Sequence, residues 1–185
     1  MNQPYAIMQS LLRRLNKLFA RVPPRVSATP AEEVEVDEAT FNHYSFVIGS
    51  VFSYFNDLSP ESKKKFVQRV YQFRSQKRFH YIGLENNEDT AVLVSSSAIQ
   101  VTFGLKNYHL SYFKDIYILA DAYHMDNDDE LYIGHVAPDG IYLSWKHFLY
   151  GYSYKSKNDN INVAVHEMAH ALLHNNFFAQ YGADL

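Results

Sequence analysis

Apolar residues along this chain fall into runs whose spacing separates helices from strands. Phe41, Tyr44, Ile48, Val51, Phe52 and Phe55 recur at helical intervals and predict a well-buried helix over 39–57. Ser59-Pro60-Glu61-Ser62 then carries a helix start, with serine as N-cap, proline at the first helical position and an acid in the first turn. The helix that follows, predicted to end near Lys77, buries Phe66, Val67, Val70, Tyr71 and Phe73 and leaves Lys63-Lys64-Lys65 as a solvated face. Residues 79–84 read as a short strand. Residues 89–104 are ambiguous, because Val and Thr favour strand while the length and terminal Gly104 favour helix. Residues 116–119 form a predicted strand, bounded by Asp115 and the polar turn Asp126-Asn127-Asp128-Asp129-Glu130. Residues 131–136 and 141–145 predict two strands joined by the turn Ala137-Pro138-Asp139-Gly140. A short helical turn over 146–152 and a polar loop over 153–159 lead to a last apolar stripe. Ile161, Val165, Met168 and Leu172 lie at i, i+4, i+7 and i+11, a helix that Asp159 or Asn160 can cap. Helices first, then strands, then one more helix make an α+β chain without internal repeats.

The N-terminus is built differently. Residues 5–22 set Ile7, Leu11, Leu15, Leu18 and Val22 against Arg13, Arg14, Lys17 and Arg21, with no acidic residue between. Charge breaks the apolar positions too often for a signal-peptide core or a transmembrane segment. The segment suits weak contact with an anionic membrane surface, a partner groove, or packing on its own domain as a helix or loose arm. Residues 23–38 shift to proline, alanine and acid, the composition of a linker. The expected organisation is a basic amphipathic segment over 1–22, a Pro/Glu-rich linker over 23–38 and one domain over 39–185. Hydrophobic content of 47% is that of a globular protein, and a net charge of −3 leaves no basic surplus for nucleic acid. The absence of cysteine excludes a disulfide scaffold and a Cys nucleophile, so any zinc must be held by His and carboxylate; it is compatible with a cytoplasmic location. The acidic turn near residue 128 lacks the ligand spacing and glycine of a calcium loop.

The final helix carries chemistry. His166-Glu167-Met168-Ala169-His170 is an H-E-x-x-H sequence, expected by chance in roughly 2 of 100 chains with nine His and nine Glu in 185 residues. Residues four apart stand one above the other on a helix, so His166 and His170 can point at one spot. Two imidazole nitrogens presented this way suit zinc, and Glu167 on the same turn can take a proton from a metal-activated water. At about 100° per residue, the apolar stripe faces nearly opposite to the two histidines, so one side can bury while the other lines a cleft. The alternative is a surface helix with incidental histidines.

A second motif joins the first. Gly140-Ile141-Tyr142-Leu143-Ser144-Trp145, followed downstream by Asn162-Val163-Ala164-Val165-His166-Glu167-Met168-Ala169-His170, resembles the MtfA family, the titration-factor-A-like zinc-dependent peptidases described as titrating a transcriptional repressor of sugar uptake. That family pairs a G-x-x-L-S-W strand with N-V-x-x-H-E-x-A-H on the next helix. The resemblance spans residues 40–175 and favours helix for 89–104. It implies a zincin-like fold with N-terminal helices, a small mixed sheet and an active-site helix. It further implies His166 and His170 as Zn2+ ligands, Glu167 as general base and a peptide as substrate.

Two positions depart from the family. Leu173 stands where the family usually has Asp, and the family's third ligand, a Glu on a later helix, has no counterpart up to Leu185. His174 continues the histidine row, but three such residues span about 12 Å along a straight helix and cannot converge on one ion. Asp184 could reach the metal only if the chain reverses at Gly182. The expectation is a form lacking C-terminal helices, which binds zinc weakly or not at all and self-associates through uncovered apolar surface. Two function classes follow: a zinc peptidase, or a non-catalytic protein that sequesters a transcriptional regulator. Residues 141–144 are read either as a substrate-binding edge strand or as an interior strand, and Trp145 as a core aromatic rather than a substrate platform. Fifteen tyrosines and nine histidines leave the oxyanion donor unassigned.

Overall fold

The computed structural model describes residues 34–125, 129–153 and 162–181, with side chains through residue 177. The basic segment 5–22, most of the linker, the centre of the acidic turn, the loop 154–159, the caps Asp159 and Asn160, and Asp184 lie outside the described residues.

Helix α1 (Glu38–Val51) starts where Asp37 accepts the Thr40 N–H at 2.9 Å. The helix predicted over 39–57 is interrupted at Phe52, which takes φ −98° and ψ 98°, before the short α2 (Ser53–Asn56). The break brings Phe52 and Phe55 both into the core, and Asn56 Nδ2 donates to the Gly49 carbonyl at 2.9 Å. Helix α3 (Pro60–Gln76) begins on the Ser59 cap and buries Phe66, Val67, Val70 and Phe73. Its lysine run is solvated, with the Lys63 and Lys65 ammoniums each 5.7 Å from the rings of Phe55 and Phe103.

Lys77 ends α3 by turning its ammonium inward. Its three N–H groups meet the carbonyls of His109, Leu110 and Phe113 at 2.6, 2.9 and 2.7 Å. Leu110 holds a left-handed φ of 45°, and its carbonyl also accepts from Phe113 N–H, so two donors fix this strained corner. Strand β1 (Arg78–Ile82) stops two residues short of the predicted end because Gly83 takes φ +74°. Helix α4 (Glu88–Thr102) settles the ambiguous segment. It is buried almost all round, from Thr90 through Ile99, and α1, α3 and the last helix pack on it.

Strands β2 (Asp115–Leu119), β3 (Tyr123–His124), β4 (Leu131–Tyr132), β5 (Gly134–Ala137) and β6 (Gly140–Ser144) follow. One sheet has the order β1-β2-β6-β5, parallel through β6, with β5 antiparallel at the edge; β3 and β4 form a separate two-stranded ribbon. The strand predicted over 131–136 is therefore two pieces, one pairing back to 123–124 and the other forward to β6. Residues 141–144, read as a possible edge, are interior: the turn at Pro138-Asp139 folds β5 onto their outer side. Helix α5 (Trp145–Tyr152) starts on Ser144, and Trp145 stacks on buried Phe148 at 4.9 Å. Helix α6 (Val163–Tyr181) completes the α+β architecture. Among the described residues no helix is long and apolar enough to cross a membrane.

The two sheet faces differ. Ile116, Ile118, Ile141 and Leu143 are fully buried on the helix side. On the other side His80, Tyr117, Tyr142 and His135 fall in register across all four strands. Their rings stack at 4.6, 4.4 and 4.3 Å with interplanar angles of 16°, 9° and 11°.

Candidate metal and catalytic site

Helix α6 begins at Asn162, whose side-chain oxygen accepts the Val165 N–H at 3.1 Å while its carbonyl accepts from His166 N at 3.0 Å. Its buried arc runs through Ala164, Met168, Ala171 and Leu172, while Val165 is only half-buried. That arc is turned from the predicted line of Ile161, Val165, Met168 and Leu172; Ile161 lies outside the described residues. Packing explains the turn, because α6 lies against α4 and against β5 and β6 together. Small residues on both helices, Ala164 and Ala171 on one and Ser95, Ser96, Ser97 and Ala98 on the other, allow close approach.

The turn leaves His166 exposed and His170 half-exposed, with their Nε2 atoms 3.0 Å apart. The rings meet edge-on at 4.5 Å and 73°. Burial and the neighbouring His166 and His174 hold His170 below the ordinary imidazole range, so it is neutral at pH 7 with a lone pair to offer. Zinc–nitrogen bonds of about 2.0–2.1 Å can join both nitrogens to one ion at this separation. His174 is exposed one turn further on. Among the described residues no group of three His, Cys, Asp or Glu is arranged to hold a metal.

Glu167 faces the sheet and is 6% exposed, and burial raises its carboxyl to about 7. What buries it is the backbone of the edge strand. A Cβ at Gly134 would stand 2.7 Å from Glu167 Cγ and 2.8 Å from Val163 Cγ2. Sequence reasoning did not single out Gly134, although an isolated glycine inside a predicted strand is a signal of close backbone approach.

Beside it on β5, His135 Nδ1 lies 2.7 Å from the Tyr123 hydroxyl. Burial, and after it the charge of Glu167, pushes the Tyr123 phenol well above its usual value. Neither residue stood out in the sequence, because strands β3 and β5 come together only through the folded ribbon. The arrangement thus presents two convergent imidazoles and a carboxyl that changes charge near neutrality, with a phenol bonded to His135 on the same edge strand.

A family model described as glucose-regulated metallo-peptidase M90 matches residues 33–177. A search of curated proteins found no match.

Proposed function

The chain belongs to the glucose-regulated metallo-peptidase M90 family, and from this we propose that it is a zinc-dependent peptidase with His166 and His170 as metal ligands and Glu167 as general base. One observation carries the reading. The two imidazole nitrogens converge to 3.0 Å on the open side of α6, while the carboxylate between them is buried against a glycine of the edge strand. The donor set fits zinc, which takes neutral imidazole nitrogen and completes its shell with further O or N donors. A mixed sheet whose antiparallel edge strand runs beside the motif helix supports a zincin-like arrangement.

When bound, the metal supplies a Lewis acid that activates water and polarises the scissile carbonyl. His166 and His170 would hold it through their Nε2 atoms. Glu167 accepts the water proton and returns it to the leaving amine; a carboxyl near 7 can do both at neutral pH. Strand β5 has β6 on one side and no strand on the other among the described residues, so an extended peptide can add to that edge by main-chain hydrogen bonds.

Glu167→Ala tests the reading. Peptide hydrolysis is expected to vanish while zinc content is kept, whereas His166→Ala and His170→Ala lose the zinc. Hydrolysis by Glu167→Ala at the wild-type rate would refute it.

A further inference from the structure

Residues 5–22 take no part in the site above and lie outside the described residues; their order along the chain carries a pattern of its own. At about 100° per residue, Met8, Leu12 and Phe19 join Ile7, Leu11, Leu15, Leu18 and Val22 inside one arc of about 140°. No polar residue of the stretch falls within that arc. Arg13, Arg14, Lys17 and Arg21 all fall on the other side, and no acid balances them. Pro4 stands just before the stretch and Pro23-Pro24 just after it, a start and a stop signal for a helix. A broad apolar arc opposite cations alone is the pattern of a helix that lies in a lipid–water interface.

The rest of the chain has the opposite character. Five of the 17 basic residues and none of the 20 acidic ones fall within the first 25 positions. Among the described residues, large exposed apolar side chains are spread one or two to an element, from Phe46 on α1 to Leu149 and Tyr150 on α5. No single described element therefore offers a strip to match eight such side chains. The chain enters α1 through Asp37, Glu38 and Ala39, all exposed. Residues 23–37 can span up to roughly 50 Å when extended, several times the Debye length of about 8 Å. On a tether of that reach, an acidic domain can stand clear of an anionic surface that draws the basic segment in.

We propose that residues 5–22 bind the surface of an anionic lipid bilayer as an amphipathic helix and hold the M90 domain beside it. The apolar arc enters the boundary between headgroups and acyl chains, while the four cationic side chains reach lipid phosphates. This assignment does not depend on the peptidase reading.

The test floats the full chain with vesicles of phosphatidylcholine mixed with phosphatidylglycerol, and with vesicles of phosphatidylcholine alone. The chain should float with the mixed vesicles, gain helical circular dichroism on binding and come off as salt is raised. Binding to phosphatidylcholine alone should be at least about tenfold weaker. Replacing Arg13 and Arg14 together by Gln should weaken binding to the mixed vesicles roughly 30-fold, about fivefold for each charge. Leu11→Asp combined with Leu15→Asp should abolish it, with the melting temperature of the domain unchanged. Failure of the wild-type chain to float with the mixed vesicles at low salt would overturn the proposal. So would undiminished binding by the Leu11→Asp, Leu15→Asp chain, which would leave charge attraction alone. A lowered melting temperature in that chain, with wild type staying off the vesicles, would place the segment on its own domain instead. None of these readouts involves peptide hydrolysis, so this assignment and the peptidase reading can fail separately.

Discussion

Gly134 and Glu167 show how a single missing side chain shapes the site. A methyl group at residue 134 has no space between the strand and the helix, so Gly134→Ala must push Glu167 or Val163 aside. Overpacking of this kind costs about 1–3 kcal/mol. Peptide hydrolysis should fall at least tenfold, since misplacing a reacting group by about 1 Å can cost 10²-fold. Steady-state kinetics beside a thermal melt would separate the two effects. Glu167 also makes a pH prediction for the metal-free chain. Its carboxyl is raised from the ordinary range to about 7, so between those values the folded chain keeps a proton that the unfolded chain has released. Its contribution is favourable at low pH and is lost as pH rises through about 7. Glu167→Gln should therefore be more stable than wild type at pH 8, by roughly 1–3 kcal/mol, and no more stable at pH 4. Denaturant melts of the chelated protein at both pH values would measure it. At this scale the convergence of the His166 and His170 nitrogens was legible because helical geometry ties a four-residue spacing to a shared direction. Gly134, Tyr123 and His135 were not, since nothing in local spacing announces a ribbon that folds back on an edge strand.

Elements were legible in proportion to how one-sided they are. Helix α3 has a solvated lysine face and a buried aromatic face, and its serine-proline start stood where expected. Helix α4 gave no clear period because neighbours cover it on nearly every side, and a helix apolar all round loses its moment. The orientation of α6 was shifted for a related reason: it serves two partners at once, and its alanines matter more than its larger apolar residues. Ala171→Leu should accordingly destabilise the fold by about 1–3 kcal/mol through overpacking of the core, read as a lowered denaturation midpoint. Lys77 gives a second test. It ties the end of α3 to the loop before β2 through three carbonyls. Lys77→Met keeps the apolar stem but removes the donors, which should cost roughly 1–3 kcal/mol on chemical denaturation.

For the whole molecule, α+β character was readable from the order of the segments, whereas strand order was not. Parallel pairing of β1, β2 and β6 joins residues far apart in sequence, and no local pattern tells interior from edge. The hairpin signal located the β5–β6 turn, but only the assembled sheet places β5 outermost. Across that sheet the four rings form one continuous column, from His80 at one margin to His135 at the other. Replacing Tyr142 by Leu would split the column next to His135. The imidazole should then move more freely, seen as weakened hydrogen-exchange protection and broadened His135 resonances. Heat or chemistry that disturbs the outer margin at His80 can thus be felt across three strand spacings, because ring leans on ring. A change at one margin of the sheet would then loosen the imidazole held at the other.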